Sequence, residues 1–419
     1  MDLSIIIPAF NEASNIPILI DKIKEIFSGL GYDYEIIVVD AGSRDDTLKI
    51  SKDRGAVTFI QQRPGYGSAL HEAIKKANGE YIITMDADFS HNPYVIKRLF
   101  ANRESAHIVI ASRYIRGGLA DMPFTRRMLS IILNKFLCFG LSLPLKDISS
   151  GFRLYRSDIF KEIDFHERDF NALAEILVMA YMNGFKVKEI PFHYQPRTGG
   201  KSHAKIIKFG FGFLCTFLKM WKMRNTILSA DYDERAFYSR IPLQRFWQRR
   251  RYNIICGFTG YENRILDIGC GSSKILSAQP QAIGLDIDFK KLRYSLSLGN
   301  PLVNADIRNL PFKDSSFNEV ICSQVIEHLN KDEHIFRELR RILKNGGFLI
   351  LGTPDYSRFS WIVIEWLYKK LIPGGYADQH ISHYNRKELV GLIENVGFEL
   401  QSYKYIWGSE LICKFRKSR

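Results

Sequence analysis

Short apolar runs punctuate the first 190 residues, and stretches with helical spacing separate them. Ile5 to Ile7, Ile36 to Val39, Val57 to Ile60, Tyr81 to Met85 and Ile108 to Ala111 are mostly β-branched or aromatic and too short for helices. Such alternation predicts an α/β layer with a largely parallel sheet, because a parallel crossover needs a helix-length connection. A second series follows Arg264: Ile265 to Asp267, Ala282 to Leu285, Val320 to Cys322 and Phe348 to Leu351. Two α/β domains are therefore expected, 1–225 and 226–419. Between the two series lie a basic stretch, Lys186 to Arg224, and an Arg-, Tyr- and Phe-rich one, Tyr232 to Tyr252. A length of 419 residues agrees, since it exceeds what one hydrophobic core ordinarily serves.

Composition adds a charge argument. Lys and Arg number 59 against 45 Asp and Glu, a formal net charge of +14, which favours anionic partners. No helix-turn-helix, zinc finger or stacking platform accompanies it, so no nucleic-acid partner is expected. The six cysteines are scattered with no CxxC pair or Cys/His cluster at zinc spacing, which predicts a reduced chain without structural metal. The chain opens on a strand-like run without secretory-signal order. Its most lipid-like run, Phe209 to Leu218, is ten residues long, against roughly 20 for a spanning helix. The expectation is a cytoplasmic protein, peripheral at the inner face of a membrane.

Ligands of parallel sheets gather at the carboxyl ends of strands. Polar motifs stand there: Pro8-Ala9-Phe10-Asn11-Glu12, Asp40-Ala41-Gly42-Ser43 and Asp86-Ala87-Asp88. Each alone reads equally as a cap or turn. Two carboxylates one residue apart also suit a hard divalent cation, Mg or Mn, whose other positions hold phosphate oxygens. Arg113, Arg126 and Arg127 are candidates to clamp the same oxygens.

The strings SIIIPAFNE, VVDAGSRDDT, GYGSALHEAIKKANGEYIITMDADFSHNP, ASRYIRGG and DISSGFRLYRSDIF, in this order, resemble family 2 glycosyltransferases of the GT-A fold, nearest to the polyprenol-phosphate (dolichol-phosphate) mannose synthases. The resemblance spans about residues 1 to 220. It implies a nucleotide-diphospho-sugar transferase domain in which Pro8, Asn11, Glu12 and Asp40 cradle the nucleoside. Asp86 and Asp88 would take metal and diphosphate, and Arg113, Arg126 and Ser130 the phosphates, with Asp86, Asp88, Arg113 and Arg126 as the catalytic set. Asp147 and Arg153 fall in a loop on the acceptor side of such enzymes. Two departures stand out: the motif after the second strand reads Asp40-Ala41-Gly42-Ser43 where many relatives carry two consecutive acids, and Ser90 stands where some relatives place a metal-contacting amide.

The acceptor can be argued separately. A hydroxyl must lose a proton as it attacks and needs a general base. A lipid monophosphate, largely dianionic at neutral pH, needs cations and an apolar surface instead. Arg197, Lys201, His203 and Lys205 beside a Gly-Gly turn offer the cations. Ala204 to Trp221, with its Phe, Leu and Trp residues between lysines, reads as an interfacial helix on an anionic membrane surface or as a core helix. For the hydroxyl alternative, Glu175 on a helix from Asn171 to Asn183 is the candidate base.

In the second half, LDIGCGSS, GLDID, NADIRNLPFKDSSFNEVICSQVIEHL and ELRRILKNGGFLILGTPD resemble class I S-adenosylmethionine-dependent methyltransferases over about residues 235 to 405. The implied fold is Rossmann-like. Asp267, Gly269 and Gly271 would meet the methionine part of S-adenosyl-L-methionine, Asp286 the ribose, and Asp306 with Ile307 the adenine. Glu327 and His328 follow the fourth strand, and His380, His383 and Tyr384 are candidates for the substrate mouth. The leading expectation is a bifunctional transferase: a hexose, mannose from GDP-mannose, moved with inversion to polyprenyl or dolichyl phosphate, plus methylation of an unknown acceptor. The alternatives are a hydroxyl-directed glycosyltransferase and a nonenzymatic membrane adaptor with a degenerate cofactor fold.

Overall fold

The computed structural model describes residues 1–196, 209–260, 264–371 and 380–418. The chain divides into two compact units, Met1–Tyr181 with Phe185–Arg224 and Met182–Gly184 with Asn225–Arg419.

The first unit is built on β1 (Leu3–Ala9), β2 (Tyr34–Asp40), β3 (Val57–Ile60), β4 (Tyr81–Thr84), β5 (Ile108–Ser112), β6 (Leu119–Ala120), β7 (Arg153–Arg156), β8 (Val187–Pro191) and β9 (His193–Tyr194). Seven of them form one sheet in the order β3-β2-β1-β4-β7-β5-β8, and β6 pairs with β9 apart from it. The apolar runs become central strands because helices cover both faces; Leu3, Ile5, Ile6 and Ile7 are fully buried. β1 runs parallel to both β2 and β4, so the order of strands reverses beside it. That reversal opens a crevice at the carboxyl ends of β1, β2 and β4.

β7 corrects the sequence reading, which placed Arg153 in an acceptor-side loop. Arg153 to Arg156 is a strand antiparallel to both β4 and β5. The Arg153 side chain is fully buried. Its guanidinium donates to the carbonyls of Ser150 (2.7 Å), Leu173 (2.8 Å) and Ile148 (2.6 Å). A cation closed into three carbonyls has no face left for a phosphate; it ties loop, strand and helix together.

Helix Phe124–Gly140 turns apolar side chains outward. Phe124, Leu129, Ile132, Leu133, Phe136 and Phe139 are all exposed, whereas Asn134, Leu137 and Cys138 are buried. A water-facing helix ordinarily presents the opposite pattern. Helix Phe209–Arg224 adds exposed Leu214 and Leu218, and its Phe217 ring lies 5.0 Å from that of Phe136. Of the segment Ala204 to Trp221, expected to be apolar and interfacial, residues 204–208 lie outside the described residues; among the described side chains, helix Phe124–Gly140, which the pattern did not single out, also presents apolar surface. Among the described residues no helix is long and apolar enough to cross a membrane.

The second unit holds β10 (Ile265–Ile268), β11 (Ile283–Asp286), β12 (Leu302–Asn304), β13 (Phe317–Ser323), β14 (Leu343–Pro354), β15 (Phe398–Ile406) and β16 (Glu410–Lys417). They form one sheet in the order β12-β11-β10-β13-β14-β16-β15. β10 to β14 pair in parallel, and β16 runs antiparallel to both of its neighbours, β14 and β15. Strand order reverses at β10 and β13, the second crevice of the chain. The GT-A-like and Rossmann-like α/β architectures implied by the resemblances are both present.

Replacing Arg153 by Met should leave three buried carbonyls without a donor. Denaturant unfolding of the first unit should show a loss of about 3 kcal/mol or more; a variant as stable as the wild type would contradict the anchoring role.

Candidate functional sites at the strand ends

In the first unit, the loops after β1 and β2 are sewn to each other. The Asn11 N–H donates to Ser43 Oγ (2.8 Å), and Ser43 Oγ donates to Asp40 Oδ1 (2.5 Å). The Arg44 N–H donates to Asn11 Oδ1 and the Glu12 N–H to Thr47 Oγ1, both at 2.8 Å. Asn11 takes a left-handed φ of 56°, which Asn tolerates better than most residues. Ser43 is thus the bridge between the two loops. Asp40 is 2% exposed beneath it, and Pro8 sits within β1 beside Val39.

Asp86 and Asp88 follow β4, with Asp88 buried and Asp86 half-exposed. The Asp86 N–H donates to His91 Nδ1 (2.9 Å), which fixes the ring proton on Nε2, 3.6 Å from Asp86 Oδ2. The imidazole stacks on Phe152 at 4.9 Å. Burial holds its pKa below the ordinary histidine value, against the pull of Asp86 and Asp88, so it stays neutral and positions the acidic loop. The Ser90 N–H donates to Asp88 Oδ1 (3.0 Å). Two hard carboxylates on a strand end suit Mg or Mn in donor chemistry. Across from them, a Cβ added to Gly151 would meet Tyr66 Oη at 2.6 Å and Asp86 Oδ1 at 3.9 Å, so only glycine fits there.

Arg113 is committed to Asp147. Nε and Nη2 donate to the two carboxylate oxygens, each at 2.7 Å, and Nη2 also donates to Ser149 Oγ. Burial alone would raise the Asp147 pKa, but Arg113 outweighs it and holds the carboxyl below the usual range. Asp147 is fully buried, so its expected place on an acceptor phosphate is corrected to that of a counterion fixing Arg113. Ser130 accepts from Tyr114 Oη (2.7 Å), and Asn134 one turn on donates to Ser149 Oγ (2.9 Å), which brackets the same loop. Arg126 is exposed on the first turn of helix Phe124–Gly140. A cavity of about 270 Å³ opens here, lined by Arg113, Arg127, Lys135 and Lys146 together with Tyr114 and Ile131. Arg197, Lys201 and Lys205, the cations expected from sequence, lie outside the described residues. The sequence reading missed Lys135, because a cation at helical spacing among apolar residues looks like an ordinary solvated position, and Lys146, which stands in the loop that follows the helix.

Glu175, the candidate base for a hydroxyl acceptor, is 2% exposed. Its Oε2 accepts the N–H groups of His166 (2.9 Å) and Glu167 (2.8 Å), and Oε1 accepts from Lys219 (3.1 Å). It is an anchor.

In the second unit a cavity of about 330 Å³ lies at the ends of β10, β11 and β13, lined by Asp267, Gly269, Asp286, Asp306, Ile307 and His328 among others. Asp267 is 2% exposed, and its Oδ2 has no hydrogen-bond partner among the described residues. Burial, then the fields of Asp286 and Asp233, push its pKa up to about 8. Asp286 accepts the N–H groups of Gly271 and Asp288, each at 2.8 Å, and burial raises its pKa as well. Gly269 has φ 67°, and a Cβ there would strike Val325 Cγ2 at 2.3 Å. Gly271 is not among the lining residues; it sits beneath, holding Asp286. Asp306 is held by the Arg308 guanidinium (Nε at 3.0 Å), which keeps its carboxyl below the usual range. His328, which follows the fourth strand, lines the cavity, whereas His380, His383 and Tyr384, the residues expected at the substrate mouth, are not among its lining residues. Tyr384 is packed into the core, and His383 stacks on Tyr356 at 4.0 Å. An orphaned acid oxygen over a side-chain-free turn fits a ligand with a cationic amino-acid end and a ribose.

Comparison with known proteins finds two family matches in the chain. Residues 4–164 match the family described as Glycosyl transferase family 2, and residues 266–351 match a Methyltransferase domain. A dolichol-phosphate mannosyltransferase of Pyrococcus furiosus is 33% identical over 216 residues, 49% of this chain and 60% of that protein, so this chain spans less than two thirds of that relative. An uncharacterised glycosyltransferase of Mycobacterium tuberculosis is 29% identical over 222 residues, 53% of this chain and 97% of that protein. Among solved structures, an SAM-dependent methyltransferase of Thermotoga maritima is 20% identical, covering 42% of this chain and 94% of its own, with a TM-score of 0.35. Glucosyl-3-phosphoglycerate synthase of Mycobacterium tuberculosis is 19% identical, covering 52% of this chain and 78% of its own, with a TM-score of 0.44.

Glu175→Ala should cost the first unit about 2 kcal/mol or more in denaturant unfolding, because two buried N–H groups lose their acceptor. Glu175→Gln, which keeps a carbonyl oxygen there, should cost less than half as much; equal costs would contradict the anchoring role.

Proposed function

For a chain that carries a family 2 glycosyltransferase domain followed by a methyltransferase domain, we propose that the first transfers a hexose from a nucleotide diphosphate sugar to a polyprenyl or dolichyl phosphate, and that the second uses S-adenosyl-L-methionine to methylate an acceptor. Mannose is the sugar we favour, by analogy with the Pyrococcus furiosus dolichol-phosphate mannosyltransferase, and GDP-mannose is the donor that the sequence resemblance implies.

The observation that carries the acceptor assignment is the basic cavity of Arg113, Arg127, Lys135 and Lys146 against a helix whose apolar side chains face outward. Cations hold a dianionic head and the exposed Leu129, Ile132 and Phe136 meet an apolar tail. Such an acceptor is already a nucleophile and needs no base, in keeping with the commitment of Glu175 to backbone and Lys219. In this reading Pro8, Asn11, Glu12 and Asp40 frame the nucleoside, Asp86 and Asp88 hold Mg or Mn, and Arg126 with Ser130 stands toward the phosphates. A bound divalent ion supplies Lewis-acid stabilisation to a departing nucleoside diphosphate. His91 holds the acidic loop in register, and Asp147 keeps Arg113 charged and aimed. In the second domain Asp267 takes the cationic end of the cofactor, the turn at Gly269 lets it approach the backbone, Asp286 accepts the ribose hydroxyls, and Asp306 with Ile307 flanks the base. The ligand supplies an activated methyl group.

Purified protein given radiolabelled nucleotide sugars and polyprenyl phosphates should label the lipid. Chelation, or the double change Asp86→Asn and Asp88→Asn, should lower that transfer by about a hundredfold or more. Ile132→Ser with Phe136→Ser should reduce turnover of a long-chain acceptor in anionic vesicles about fivefold more than that of a short soluble one. Transfer to free sugar hydroxyls with none to phosphate would overturn the acceptor assignment.

A further inference from the structure

The fourth strand of the second unit, β13, runs into a one-turn helix, Ile326–His328. Two features of that turn are used by neither the cofactor cradle nor the hydrophobic core. Glu327 is fully buried, and while Oε2 accepts from Thr353 Oγ1 at 3.3 Å, Oε1 has no partner among the described residues. His328, next to it, lines the cavity. His380 arrives from a distant segment, and its ring centroid lies 5.1 Å from that of His328. One ligand atom from each of Glu327, His328 and His380 falls within 4.8 Å of the others.

We propose that Glu327, His328 and His380 bind one divalent transition-metal ion at the wall of the methyltransferase cavity. The backbone is fastened for it: the N–H groups of Ile381 and Ser382 both donate to the carbonyl of Glu327, at 2.8 and 3.0 Å, clamping the two segments together. The ring of His380 is oriented as ligating imidazoles are. Its Nδ1 is 2.6 Å from Tyr356 Oη, which in turn donates to Glu365 Oε1 at 3.0 Å. In that chain Nδ1 carries the proton, the tautomer of an imidazole that ligates through Nε2. A buried carboxylate oxygen left without donor or cation is costly, and a metal ion removes the cost.

The ligand set chooses the ion. Two imidazoles and one carboxylate suit zinc, cobalt, iron or manganese, whereas magnesium and calcium prefer oxygen alone. Three protein ligands leave a position for water or for an oxygen of whatever enters the cavity beside His328. The proposal is independent of the sugar-transfer reading, and its readout is metal binding.

The full chain carrying Asp86→Asn and Asp88→Asn, which removes the other acidic site, is stripped with chelator and titrated with Zn²⁺ and Co²⁺. One ion per chain should bind at micromolar or tighter dissociation constant, with the visible ligand-field absorption of a four-coordinate cobalt ion. His328→Ala, a truncation at the cavity wall that spares the core, should weaken binding at least about thirtyfold while circular dichroism is unchanged, and Glu327→Gln should do the same if it folds. Binding no tighter than millimolar in the stripped parent, or equal affinity in parent and His328→Ala, would overturn the site.

Discussion

A charge taken out of water must be answered by another charge, by hydrogen bonds or by a bound ion, and most of what is specific in this molecule follows from how each buried charge is answered. In the first unit the protein supplies its own answers. Asp147 takes a two-pronged Arg113, Glu175 takes two backbone N–H groups and Lys219, and Arg153 closes into three carbonyls. These groups are frame. In the second unit Asp267 Oδ2 and Glu327 Oε1 are buried without a partner among the described residues, and burial lifts both carboxyls to about 8. Those are the positions where the proposed ligands, S-adenosyl-L-methionine and a divalent metal ion, would bring the missing positive charge.

Architecture decides where such positions fall. In both sheets the strand order reverses, at β1 and β4 in the first and at β10 and β13 in the second, and loops on either side of a reversal diverge to leave a crevice. Asp86 and Asp88 stand at one crevice, Asp267 and Glu327 at the other. The first unit adds a surface that its own fold does not cover, the outward apolar side of helix Phe124–Gly140 beside a basic cavity. That pairing of greasy surface and fixed positive charge gives the transferase reading its acceptor.

Much of this was legible in the chain, for identifiable reasons. Apolar runs flanked by turns fixed most of the parallel strands, since a strand buried on both faces has no polar positions to confuse the pattern. The acidic and glycine motifs marked both crevices, because short-range spacing at a strand end is local information. β7 was not legible: the resemblance put Arg153 in an acceptor-side loop, and only the surrounding carbonyls explain how it is buried. Arg153, Asp147 and Glu175 looked like ligand or acid–base groups because sequence shows a charge without showing what answers it. The outward face of helix Phe124–Gly140 was missed since periodicity tells which residues share a side, not which side is covered. Glu327, His328 and His380 escaped as a cluster because some fifty residues separate them.

The claim that an unanswered buried acid marks a cation site is tested most directly at Asp267. With its pKa lifted to about 8, the carboxyl is mostly protonated at pH 7, and a ligand that brings positive charge favours the ionised form. Asp286, Asp233 and Lys291 share that field, so the proton count is read on the whole protein. Calorimetric titration with S-adenosyl-L-methionine at pH 7, in two buffers of different ionisation enthalpy, should show release of a large fraction of one proton, with affinity climbing up to about tenfold per pH unit until pH reaches about 8. Asp267→Asn should bind weakly and release none. Tight binding with no proton released by the wild type, or affinity that falls as pH rises from 6 to 8, would contradict the account.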